Sequence, residues 1–182
     1  MSHPPQPSAS TAHPHPDPLQ PACDHLRAGG LVILPTDTVY GIGCNAADAG
    51  AVERLLAAKG RGRQMPPPVL VSDPAELTGI VAQVPEAARA LMEAFWPGAL
   101  TLILEADETL TWDLGETGGT LAVRMPAHEL ALSLLRRSGP MAVTSANPTG
   151  APAATDAASA RAAFPGRVRS TEEPAPDGEA AG

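Results

Sequence analysis

Short apolar runs at residues 31–34, 69–71, 99–104, 120–124 and 141–144 each begin directly after a glycine or a proline. Runs of this length are too short for isolated helices and read as strands, those at 31–34 and 69–71 as buried ones. Helical patterns separate most of them. Residues 17–30 place Leu19, Cys23 and Leu26 on one face, and Gly29-Gly30 stops them. Residues 47–58 carry an N-cap at Asp48 and a stripe of Val52, Leu55 and Leu56. Asp73-Pro74 opens a short helix, and residues 85–95 form a longer one with Ala87, Leu91, Ala94 and Phe95 inward. Residues 131–137 and 155–164 complete the set, while 105–119 read as a loop with Trp112 exposed or folded back. Strands alternating with helices define an α/β fold class.

At 182 residues the chain suits one domain. Aromatic residues make up only 3%, so the core has to be built from Leu, Val, Ala and Ile. The 21 prolines crowd the two ends. Residues 1–16 are expected as a disordered leader, 17–165 as the domain and 166–182 as a flexible polar tail. His3, His13 and His15 in the leader suit disorder better than a metal site. A net charge of -8 disfavours nucleic-acid binding through a broad basic face. Cys23 and Cys44 make neither a disulfide framework nor a zinc pattern. They are expected as reduced thiols of a cytoplasmic protein. No apolar run approaches a membrane span, and the amino terminus lacks the basic start and apolar block of a signal peptide.

Four features suggest chemistry. Lys59, Arg61 and Arg63 alternate through a glycine-rich segment, and Lys59 is the only lysine among 12 basic residues. Helix-dipole compensation explains one or two cations there, not three. On an extended segment all three would point one way and hold a polyanion such as a triphosphate. Residues 35–43, Pro-Thr-Asp-Thr-Val-Tyr-Gly-Ile-Gly, form a strand-end loop of small polar groups. Such loops bind ligands in α/β sheets, though the same residues also suit an ordinary capped turn. Ser145 and Asn147 alternate in a second strand-end loop, facing either one ligand or their own turn. Arg124 ends a strand and suits a bidentate grip on a carboxylate, or a surface ion pair. His128 reads as a helix-start residue. Walker, dinucleotide-binding, nucleophile-elbow and paired metal-ligand motifs do not occur.

The ordered set Pro-Thr-Asp-Thr-Val-Tyr-Gly-Ile-Gly (35–43), Lys-Gly-Arg (59–61), Phe-Trp-Pro-Gly-Ala-Leu-Thr (95–101), Ala-Val-Arg-Met-Pro (122–126) and Thr-Ser-Ala-Asn (144–147) resembles the YrdC-like family of threonylcarbamoyladenylate synthases. The resemblance covers about residues 20–165 and implies a twisted mixed sheet with flanking helices and one deep concave cleft. It implies synthesis of L-threonylcarbamoyladenylate from L-threonine, bicarbonate and ATP, with release of pyrophosphate. Partner proteins would then transfer the threonylcarbamoyl group to a tRNA adenosine. The family's pattern implies catalytic roles for Lys59 and Arg61. It implies ATP contacts for Lys59, Arg61, Thr120, Ser145 and Asn147, with Arg63 added from the cationic strip, and threonine contacts for Thr36, Arg124 and Thr144. Mg2+ would come with the phosphates, without a metal ligated tightly by the protein. Gln64 stands where many relatives carry an acid. The S-T-x-V-D and L-R-x-G segments that close over nucleotide in relatives are not found after the Ser145 loop. That departure carries a second expectation, of a catalytically weak member that binds a nucleotide or carbamoyl compound. A direct RNA-binding module is a third, which the acidic balance disfavours.

Overall fold

A computed structural model describes residues 17–166 and 168–171. The expected leader and residues 172–182 of the expected tail lie outside the described residues. Helix α1 (Gln20–Arg27) leads into strand β1 (Leu31–Leu34), then β2 (Gly41–Asn45), α2 (Ala49–Lys59) and β3 (Val69–Leu70). A 3-10 turn at Pro74–Leu77 precedes α3 (Glu86–Phe95), β4 (Leu102–Glu105), β5 (Thr120–Arg124), α4 (Glu129–Ser138), β6 (Met141–Ser145), α5 (Ala157–Ala162) and β7 (Val168–Ser170).

The strands form one mixed sheet in the order β4-β5-β3-β6-β2-β1-β7. β7 pairs parallel with β1 and β3 parallel with β5, while the other neighbours run antiparallel. One face packs α2, Leu77, Met92, Trp96 and Phe164 against β1, β2 and β5. The other packs α1 and α4 against Val32, Leu34, Leu70, Met141 and Val143. Aliphatic side chains dominate both layers, as the scarcity of aromatics requires. Cys23 lies in the second layer and Cys44 in the first, both buried and unpaired. Among the described residues no helix is long and apolar enough to cross a membrane.

The sequence-based elements differ from the structure in three places. Residues 41–43 were expected in a loop, yet they open β2, between β1 and β6. Their glycines serve close packing: a Cβ on Gly41 would lie 2.7 Å from Val143 Cγ1, and one on Gly43 2.6 Å from Val143 Cγ2. Helix α3 turns a different face inward. Ala88 and Met92 are buried, followed at the same spacing by Trp96, whereas Leu91 and Phe95 are exposed. Trp96 is drawn inside because its indole N–H can donate to the Leu100 carbonyl at 2.8 Å. Finally, the domain expected to end at 165 continues into β7. Thr171 N–H still donates to the Ile33 carbonyl at 3.0 Å. A strand of three residues carrying one hydrophobic side chain has almost no periodic signal in the sequence.

Candidate functional site

β1 and β6 are both followed by loops at one end of the sheet, where β2 begins. The backbone pairing Gly41↔Ser145 brings the loop after β1 beside the loop after β6. Arg124, in β5, reaches the loop after β1 with its side chain, which meets Thr38 and Asp37. Between them lies a cavity of about 300 Å³ lined by Thr36, Thr38, Arg61, Arg124, Thr144 and Ser145, with Leu70 and Val143 among its apolar walls. Residues distant in sequence thus meet, although Lys59 and Asn147 are not among those lining the cavity.

Thr36 organises its own loop. Its hydroxyl donates to the Val39 carbonyl at 2.6 Å and accepts from the backbone N–H groups of Thr38 (3.2 Å) and Val39 (3.3 Å). This is the capped turn weighed from sequence, and it also holds the Thr36 and Thr38 hydroxyls 3.1 Å apart on the cavity wall. The turn reading and the ligand reading are therefore compatible.

Arg124 is fixed from three directions. Nε donates to the Gly98 carbonyl at 2.9 Å, Nη1 to Thr38 Oγ1 at 3.3 Å and Nη2 to Asp37 Oδ1 at 2.7 Å. The Asp37 and Arg124 side chains are only 18% and 14% exposed, so this is not a loose surface pair. The sequence reading missed Asp37. Its position between two threonines in a strand-end loop was the available signal. It also missed why Trp-Pro-Gly stands at 96–98: that turn supplies the Gly98 carbonyl to Arg124.

Lys59 ends α2, and the left-handed Gly60 (φ 64°) turns the chain away. The helix end and that turn break the extended alternation on which the three cations would share a face. Lys59 is nevertheless 2% exposed. Its ammonium donates to the carbonyls of Ser145 (2.5 Å) and Asn147 and to Asn147 Oδ1 (3.1 Å). The Thr149 hydroxyl donates back to the Lys59 carbonyl at 2.7 Å. Burial, and secondarily the neighbouring Arg61 charge, lower the Lys59 ammonium from its ordinary value to about 8. Arg61 extends the latch: Nη1 donates to Thr144 Oγ1 at 3.1 Å, while its buried Nε has no hydrogen-bond partner. A buried guanidinium N–H without an acceptor is costly.

Arg63 and Thr120 stand apart from the cavity. Arg63 Nη2 donates to Asp113 Oδ1 at 2.6 Å, and its carbonyl accepts from Glu116 N–H at 2.7 Å. Thr120, at the opposite end of β5 from Arg124, donates to the Thr117 carbonyl at 3.1 Å. Among the described residues no group of three or more His, Cys, Asp or Glu gathers as a metal site.

The Sua5/YciO/YrdC family model, described as telomere recombination, matches residues 24–171. A provisionally named threonylcarbamoyl-AMP synthase of Mycobacterium tuberculosis is 54% identical over 136 residues, which cover 75% of this chain and 63% of the relative. The chain thus spans less than two thirds of that relative's length. The threonylcarbamoyl-AMP synthase of Halorhodospira halophila is 35% identical over 164 residues, covering 85% of this chain and 86% of the relative. Among solved structures, Pyrococcus abyssi Sua5 complexed with L-threonine superposes with a TM-score of 0.79 at 40% identity, covering 84% of this chain and 45% of that one.

Proposed function

The chain belongs to the Sua5/YciO/YrdC family, and on that premise we propose that it synthesises L-threonylcarbamoyladenylate from L-threonine, bicarbonate and ATP. The observation that carries this reading is the convergence of Arg61, Arg124, Thr36 and Thr144 on one cavity. Two separate guanidinium groups in one small cavity suit a substrate pair that carries a carboxylate and a polyphosphate. Arg124 would take the threonine carboxylate, and Thr36 and Thr144 its amine and hydroxyl. Lys59, Arg61, Ser145 and Asn147 would hold the nucleotide. Arg63 and Thr120 would reach it only from outside the cavity.

The chemistry asks for positioning and charge neutralisation more than for a nucleophilic side chain. The threonine amine and bicarbonate condense to a carbamate with loss of water. A carbamate oxygen then bonds to the α-phosphorus of ATP as the bond to pyrophosphate breaks. Lys59 and Arg61 would stabilise the charge that moves onto the pyrophosphate, and Mg2+ would enter bound to the phosphates. Proteins acting on tRNA would consume the product, in the cytoplasm.

The test is pyrophosphate release that depends on threonine, bicarbonate and ATP together. Wild-type release no greater than that of Lys59→Ala would overturn the proposal. Calorimetric nucleotide binding without turnover would point instead to a binding module.

A further inference from the structure

We propose that Asp37 is a positioning residue that presents the outer edge of Arg124 to the substrate carboxylate. The inference rests on the threonine-binding role proposed above for Arg124. Asp37 Oδ1 accepts from Arg124 Nη2 at 2.7 Å and from the Ala127 backbone N–H at 2.9 Å. One carboxylate oxygen thereby joins the loop after β1 to the chain just beyond β5. The Gly98 carbonyl holds Arg124 Nε at 2.9 Å from the far side. These two anchors fix the plane of the guanidinium and leave a further N–H on each of Nη1 and Nη2. The cavity lies beside that edge, where the Thr38 hydroxyl meets Nη1 at 3.3 Å.

The arrangement has two chemical effects. A long arginine side chain carries considerable rotamer freedom, which a carboxylate ligand would otherwise have to freeze. Here that ordering precedes binding. The Asp37 charge also offsets the Arg124 charge before substrate arrives. A solitary anion gains little from a neutralised pair by Coulomb attraction alone. A carboxylate able to take both outer N–H groups gains from geometry as well. Asp37 would therefore favour a carboxylate in the correct pose over any small anion that enters.

The test compares Asp37→Ala, Asp37→Asn and Asp37→Glu in the full-length chain. Asp37→Ala is expected to raise the threonine KM about tenfold or more and leave the ATP KM within about twofold. Asp37→Glu should recover part of the loss and Asp37→Asn less, because the amide lacks the charge. Threonine calorimetry should follow the same order. The Arg124 Nε–H resonance, assigned by its disappearance in Arg124→Lys, should be sharp in the wild type and broadened in Asp37→Ala. An unchanged threonine KM, an equal rise in both KM values, or an unaltered Arg124 resonance would overturn the proposal while leaving the synthase reading intact. If the wild type neither binds threonine nor turns over, the synthase reading fails, and the resonance alone then decides whether Asp37 orders Arg124.

Discussion

The Lys59 ammonium lies 3.1 Å from Asn147 Oδ1, and the remaining acceptors around it are the backbone carbonyls of Ser145 and Asn147. Neutral oxygens satisfy this cation without neutralising it, so its charge stays available to a phosphate. Asn147→Asp tests the point because the change in shape is small and the change in charge is not. The new carboxylate should raise the Lys59 pKa and raise the ATP KM about tenfold or more, while the lost amide N–H, which donates to the Ala151 carbonyl at 2.5 Å, should lower stability toward urea. Urea titrations and steady-state kinetics on one preparation would separate the lost donor from the change in nucleotide use.

Removing the cation altogether acts on stability and catalysis in the same direction. Lys59→Met keeps the apolar stem but removes the ammonium from three oxygens, of which the Ser145 carbonyl still accepts from the Asn147 N–H at 2.9 Å. Each buried acceptor left unmade costs about 1–3 kcal/mol. The variant should unfold at lower urea, and pyrophosphate release should fall about a hundredfold or more, the scale of losing one charge-stabilising donor. Release within about threefold of wild type would remove Lys59 from the proposed chemistry.

The lowered Lys59 pKa also has a signed consequence for pH. Between about 8 and the ordinary value of 10.5, the unfolded chain holds a proton that the folded chain has lost. This group therefore makes the fold more stable as pH rises through that window, and below about 8 its contribution is constant. Nucleotide affinity moves the other way. Phosphate favours the charged ammonium, so ATP should bind more weakly as pH rises through about 8. Calorimetry from pH 7 to 9.5 should show proton uptake on binding in the upper half of that range, and Lys59→Met should lose it.

Gly98 is expected to tolerate no side chain. A Cβ there would lie 2.4 Å from the Phe95 carbonyl oxygen, so the turn would have to move, and with it the acceptor of Arg124 Nε. Gly98→Ala should raise the threonine KM more than the ATP KM and lower stability by about 1–3 kcal/mol. Equal effects on both substrates would mean that the turn does not act through Arg124.

Arg61, Arg63 and Thr120 should separate cleanly. Arg61→Ala removes the guanidinium that lines the cavity and should raise the ATP KM about tenfold or more. Arg63 is already paired with Asp113, whose carboxyl it holds below the usual range through their hydrogen bond, and both side chains are about half exposed. Arg63→Ala and Thr120→Ala should each change the ATP KM by less than about threefold. A larger effect from either would place it in the nucleotide site.

The α/β class was legible because five of the seven strands are short apolar runs started by Gly or Pro and were found on that signal. β2 was not, because Gly41-Ile42-Gly43 carries turn residues for a tertiary reason: Val143 needs the space. β7 was too short to show a period. At the site, Thr36, Arg124, Thr144 and Ser145 were legible as small polar or cationic groups at strand ends, and Arg61 as part of the cationic strip after α2. The common direction expected for Lys59, Arg61 and Arg63 was not realised, because the local turn at Gly60 overrides alternation. Asp37 escaped notice because its partners, Arg124 and Ala127, are remote in sequence, and a lone acid in a turn has many ordinary explanations.

The solitary lysine also makes the chain a recorder of its own opening. A protease that cuts only after lysine has one target here, and that target is buried and latched to the loop after β6. Cleavage into two pieces would therefore require this corner of the molecule to come apart. The rate of that single cut, with and without nucleotide, would count excursions of the latch directly, with no label attached.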